Sequence, residues 1–149
     1  MSIRETLLAD LTAAMKAREA GRLETLRMVK AAMQRQEIED QKQLDDQGMM
    51  TLLNRLVKQR RESADAFTKG GRLELAEKEL GEIVILEAYL PKAVDEATLL
   101  AAVEAAISET KASTSKDIGI VMKTVMAKLA GQNVDGKTVN GLVRSKLGG

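Results

Sequence analysis

Ile83-Val84-Ile85-Leu86 is the stretch on which the fold class turns. Four consecutive apolar residues, three of them β-branched, suit a short buried strand as readily as a buried helical turn. The flanks decide between them. Leu73, Ala76, Leu80 and Tyr89 recur around this stretch with charges between, a spacing that fits a helix over Arg72 to Leu90. A single strand would also have nothing to pair with. The segment is expected to be helical, and with it the whole chain.

Working outward toward the N-terminus, Ser2-Ile3-Arg4-Glu5 has the form of a capping box, followed by Ile3, Leu7, Leu8, Leu11 and Met15 at helical spacing. Gly21 is the expected end of that helix. A second helix carries Leu23, Leu26, Val29 and Met33 on one face, and its distal part, Gln34 to Asp46, is polar except for Ile38 and Leu44. Asp45-Asp46-Gln47-Gly48 can cap a third helix that turns Met49, Leu52, Leu53, Leu56, Val57, Ala64 and Phe67 inward. Gly70-Gly71 is the next break.

Toward the C-terminus, Pro91 is the only proline and disfavours helix at Leu90, which makes it the expected domain boundary. Asp95 caps a fifth helix with Leu99, Leu100, Val103 and Ile107 as its stripe. Ser113-Thr114-Ser115 starts a sixth, with Ile118, Val121, Met122, Val125 and Leu129 inward. After a turn over Gly131 to Val134, Asp135 caps a last helix packing through Val139, Leu142, Val143 and Leu147. The expectation is an all-α protein: a helical N-terminal domain over 1–91 and a three-helix C-terminal domain over 92–149.

Composition narrows the chemistry. Hydrophobic residues make up 44% of the chain and aromatic ones 1%, so the core is built from Leu, Ala, Val, Ile and Met. There is no Cys and no His, which excludes disulfides, Ser-His-Asp and Cys-His hydrolase chemistry and thiolate metal sites. No cofactor or metal is expected. The N-terminus lacks the apolar region and cleavage site of a signal peptide, and no apolar run approaches membrane-spanning length, so a cytoplasmic, non-membrane protein is expected.

Net charge is +1 but uneven: from Ser113 onward six basic residues face two acidic ones. Lys116 and Lys123 lie seven positions apart, as do Lys137 and Arg144, so each pair is expected to share a helix face. Four outward cations at that spacing suit backbone phosphates, and the helix starts at Ser115 and Asp135 leave amide donors for an anion. An ordinary solvated face accounts for the same pattern. Lys58-Gln59-Arg60-Arg61-Glu62-Ser63 is a second basic cluster, readable as a nucleic-acid contact or as intrahelical pairing of Lys58 with Glu62. The acids Glu37, Glu39, Asp40, Asp45 and Asp46 lack the convergent spacing of a calcium loop and read as a solvated face.

Gly119 and Gly141 fall inside expected helices, where each costs about 1 kcal/mol relative to Ala. Close helix packing or close approach of an RNA backbone would offset that. The methionines read as core filler, and Tyr89 alone makes no stacking platform for single strands. Gly131-Gln132-Asn133-Val134-Asp135-Gly136-Lys137 has the spacing of a phosphate loop only superficially, because it follows a helix rather than a strand.

Five stretches in order, Lys58 to Ser63, Gly71-Arg72-Leu73-Glu74-Leu75-Ala76-Glu77-Lys78-Glu79, Tyr89-Leu90-Pro91, Asp117-Ile118-Gly119 and Asp135-Gly136-Lys137, resemble the signatures of the YqeY family. The last three helices are similar to the tail of the B subunit of the tRNA-dependent amidotransferase. The resemblance implies an N-terminal helical hairpin domain followed by a small tail-like domain, and a link to tRNA. By position, the contact would fall on Lys116, Gly119, Lys123, Lys128, Gly136, Lys137 and Arg144, with Lys58, Arg60 and Arg61 as a second patch. Ile120 stands where the family commonly has lysine, which removes one expected cation. Amidation needs a larger catalytic domain and a glutamine-handling subunit, so any carbon–nitrogen ligase label would be inherited from the shared tail. No amidation of charged tRNA is expected of the purified protein. The alternative function is an adaptor that meets a translation-related protein through the polar helix around Gln34 to Leu44.

Overall fold

The computed structural model describes residues 1–148 and contains seven α-helices and one 3-10 turn among them. The chain divides into two compact units, Met1–Pro91 and Lys92–Gly149. Helix is the state of Ile83 to Leu86, with Ile83 and Leu86 buried.

The first unit holds α1 (Ile3–Ala17), α2 (Ala20–Asp40), α3 (Asp46–Lys69) and α4 (Leu73–Glu87). α1 packs on α2, and α3 packs along α4. The capping box forms: the Glu5 amide donates to Ser2 Oγ at 3.0 Å, and the Ser2 amide donates to Glu5 Oε2 at 3.3 Å. Asp45 caps α3 by accepting from the Gly48 amide at 2.8 Å. Leu7, Leu26, Val29, Met49, Leu53 and Leu86 are fully buried and form the centre of an aliphatic core. Phe67 is only half-buried and lies outside that centre.

Gly21 does not end α1. The helix stops at Ala17 because Arg18 adopts the left-handed conformation with φ 57°, and Gly21 lies within α2. Gln41 ends α2 in the same way (φ 56°), and Lys111 ends α5, the helix Glu96–Thr110 (φ 55°). A left-handed residue frees the next amide to reach back to the last turn, a role usually given to glycine. Side chains with a Cβ are disfavoured there, so these ends carry no sequence mark.

Of the acids after Gln34, Glu39, Asp40, Asp45 and Asp46 are exposed as expected, but Glu37 is not part of a solvated face. Glu37, with its side chain 13% exposed, accepts from Arg4 Nε at 2.9 Å, Arg4 Nη2 at 3.1 Å and the Leu44 amide at 2.8 Å. Asp46 Oδ1 accepts from the Ile3 amide at 2.8 Å. α4 is held by Arg60–Glu82 at 3.5 Å, by Arg61–Glu87 and, just past its end, by Tyr89, whose hydroxyl donates to Asp10 Oδ2 at 2.6 Å.

The second unit holds α5, a 3-10 turn over Ser115–Asp117, α6 (Ile118–Lys128) and α7 (Gly136–Leu147). Asp95 caps α5 through the Thr98 amide at 2.8 Å. Val103, Val121, Val125, Val139 and Val143 are fully buried, with Leu99, Ala106 and Leu129 around them. The Val94 amide donates to the carbonyl of buried Asn133 at 3.0 Å, and Ala93 and Asn133 form a parallel bridge. This clip fastens the chain before α5 to the turn between α6 and α7.

Two outcomes follow for stability. The hydrogen bond from Arg4 holds the Glu37 carboxyl below its ordinary value, against the opposing effect of burial. A lowered folded-state value adds stability above the unfolded value near 4.3 that is lost as pH falls through the folded one. Denaturant melts should show Glu37→Gln less stable by about 2 kcal/mol at pH 7, with the gap to the parent shrinking below about pH 4. Separately, Gln41→Gly should raise the melting temperature, by about 1 kcal/mol of relieved left-handed strain, whereas Gln41→Val should lower it.

Candidate functional site

The cations of the second unit fall into two groups. Lys128 Nζ pairs with Glu109, and Lys146 Nζ pairs with Glu104 at 3.1 Å, so both are turned back onto α5. Lys116, Lys123 and Lys137 are exposed and form no ion pair among the described residues. Arg144 is exposed, and its Nε donates to Asn140 Oδ1 one turn earlier at 2.7 Å. The four cations that the sequence pairs at seven-residue spacing form no ion pair with a carboxylate among the described residues, and neither do the exposed Lys92 and Lys111. Lys128, expected among the contacts, is already engaged.

Lys116 needs a correction of place. It lies in the 3-10 turn Ser115–Asp117, not in α6, because Thr114 rather than Ser115 makes the capping contact. The seven-residue face argument therefore holds for Lys137 and Arg144 on α7 and not for Lys116 and Lys123. The expected free amides are also spent. Asp117 Oδ2 accepts from the Ser113 and Thr114 amides at 3.0 and 3.2 Å, which holds its carboxyl below the usual carboxylate range. Asp135 accepts from the Lys137 amide at 3.1 Å and the Thr138 hydroxyl at 2.8 Å. Both helix starts put a carboxylate where an anion would sit.

The glycines answer a question the sequence leaves open. A Cβ built on Gly119, Gly136 or Gly141 meets nothing within 4 Å. Close helix packing therefore does not explain Gly119 or Gly141, which are both exposed. On α7, Gly141 falls between Lys137 and Arg144, four residues after one and three before the other, on one side of the helix. Ile120 is 55% exposed beside Gly119.

The second basic patch is more constrained. Lys58 is exposed, but Arg60 reaches Glu82 at 3.5 Å and Met28 Sδ at 2.9 Å, and Arg61 pairs with Glu87. These arginines tie α3 to α4 and α2, and Lys58 shows no pair with Glu62 among the described residues. Burial raises the Glu82 carboxyl above its ordinary value, with Glu79 adding to the effect. Sequence spacing points to an intrahelical partner; only the helix pairing reveals the interhelical ones. Among the described residues, no three side chains of metal-binding type converge.

With that geometry in view, the comparison with known families is direct. The model of the Yqey-like protein family matches residues 4–147. The chain belongs to the YqeY family. Three curated relatives are each called Altered inheritance of mitochondria protein 41, mitochondrial. The protein from Eremothecium gossypii is 38% identical over 85 residues, 56% of this chain and 46% of that protein. The one from Lachancea thermotolerans is 34% identical over 110 residues, 72% of this chain and 59% of that protein. The one from Kluyveromyces lactis is 38% identical over 84 residues, 56% and 45% of the two chains. The YqeY-family chain spans about half the length of the curated relatives it matches.

These names overturn the cytoplasmic expectation, since the relatives are mitochondrial proteins. That expectation came from the missing features of a secretory signal, and those features do not bear on entry into an organelle. No helix among the described residues is long and apolar enough to cross a membrane.

The open space above the glycines has a measurable consequence. Gly141→Ala, in the middle of α7, should raise thermal stability by about 0.5–1 kcal/mol, and Gly119→Ala, in the first turn of α6, should change it in the same direction by less. A fall in the melting temperature of Gly141→Ala would mean that the position is crowded after all.

Proposed function

We propose that this YqeY-family protein is a non-catalytic module that binds tRNA or another structured RNA through its second unit. The observation that supports this best is the set of exposed cations without carboxylate partners, Lys116, Lys123, Lys137 and Arg144, beside the uncovered glycines Gly119 and Gly141. Phosphate contacts need accessible ammonium and guanidinium groups, and a glycine on the same helix face lets a sugar–phosphate backbone come close. Residues 92–149 contain no aromatic side chain, so base stacking is not part of this reading. Recognition would rest on charge and shape. Lys128 plays a lesser part than the free lysines, and Arg60 and Arg61 hold helices together.

Fluorescence anisotropy of labelled tRNA with the purified protein at about 50 and 200 mM salt tests this, with a DNA duplex of similar length as control. Four phosphate contacts predict a slope of about −3 to −4 in log K against log salt, close to a hundredfold loss across that range. Lys123→Glu combined with Lys137→Glu should weaken binding at least tenfold and flatten the slope by about two, whereas Lys128→Gln should change it little. Absence of binding at the lower salt, or an affinity indifferent to salt, would refute the proposal.

A further inference from the structure

α4 leaves an apolar stripe uncovered. Leu73, Leu80 and Val84 are 60%, 51% and 70% exposed. They lie seven and eleven positions apart, which returns them to one side of the helix within about 40°. Ala76, Ile83 and Leu86 are buried on the adjoining face, turned by about 60–140° from Leu73, so the exposed row is surplus to the packing of the unit. Gly81 lies exposed between Leu80 and Val84 in sequence, and a Cβ there would meet nothing within 4 Å.

Carboxylates border this stripe. Glu77 follows Leu73 by four residues and Glu87 follows Val84 by three, placing one on each side of the apolar row, with Glu74 beyond Glu77. Glu74 and Glu77 form no ion pair among the described residues, while Glu87 is partly balanced by Arg61. The one lysine of α4, Lys78, reaches toward Glu24 at 3.8 Å. Across Leu73–Glu87 there are five carboxylates and that single lysine.

We infer that this face of α4 docks an amphipathic helix from a protein partner, with an apolar row flanked by lysine or arginine. Charge decides among the possible occupants. An RNA or an anionic membrane would bring phosphate against Glu74 and Glu77. A second copy laid face to face would set these carboxylates against their own counterparts. A cationic helix meets Leu73, Leu80 and Val84 with its apolar row and the flanking carboxylates with its basic ones, and Gly81 lets it lie close. This surface is independent of the RNA proposal.

The probe is a synthetic 18-residue helix of leucine and lysine with leucines at helical spacing. Its controls are the same design with glutamate for lysine and a scrambled sequence of equal composition. Titrated into the full-length isotope-labelled protein, the cationic helix should shift amide resonances of residues 73–88 with micromolar affinity, and the two controls should bind at least tenfold more weakly. Leu80→Ser with Val84→Ser, and separately Glu74→Lys with Glu77→Lys, should each lower affinity at least tenfold. These positions are exposed, and circular dichroism melts check that the variants stay folded. The inference is overturned if the cationic helix does not bind or if its shifts fall elsewhere. It is equally overturned if the scrambled peptide binds as well, if the variants bind unchanged, or if sedimentation shows self-association that Val84→Ser abolishes.

Discussion

One carboxylate fixes the relation among three segments of the first unit. Glu37 receives two hydrogen bonds from Arg4 at the start of α1 and one from the Leu44 amide just before α3, while itself sitting near the end of α2. The core around it is aliphatic, and contacts among Leu, Val and Met are not directional. Such contacts reward burial without choosing one helix register over the next. A short charge-assisted hydrogen bond does choose, because a slip of one residue turns the side chain away by about 100°. With one Phe and one Tyr in the whole chain, large rigid side chains are not there to do this. The ties at Asp46–Ile3, Tyr89–Asp10 and Arg60–Glu82 serve the same end at other points of the unit.

The same division between directional and non-directional terms explains what was legible in the sequence. Helix starts were, because a cap is local: Ser2, Asp45, Asp95 and Asp135 each accept from an amide two or three residues on. Most of the core stripes were, because burial follows the helical period, although Met15, Leu73 and Leu80 keep that period and stay exposed. The helical state of Ile83 to Leu86 was, because its neighbours keep that period. The ends at Arg18, Gln41 and Lys111 were not, since nothing about Arg, Gln or Lys announces a left-handed backbone. Glu37 was misread as solvated for a related reason. Its partners lie 33 residues before it and 7 after it in the chain, beyond the reach of any spacing rule.

The candidate site was legible in part. Which residues are cationic and which helix they occupy can be read from the chain, and Lys137, Gly141 and Arg144 do share a side of α7. Which cations are free cannot. Lys128 and Lys146 differ from Lys123 and Lys137 only in that Glu109 and Glu104 of α5 come within reach once the helices pack. Exposed pairs of this kind contribute little to stability, yet they set which ammonium groups point outward. The unpacked glycines belong with the tertiary structure too. From sequence, Gly119 and Gly141 suggest tight helix contacts, and the space around them removes that explanation.

Two exposed surfaces differ in chemistry. The second unit exposes lysines without partners, whereas α4 of the first exposes an apolar row between carboxylates. No single ligand satisfies both. A polyanion drawn to Lys123 and Lys137 is repelled by Glu74 and Glu77, and a cationic helix drawn to α4 is repelled by the lysines.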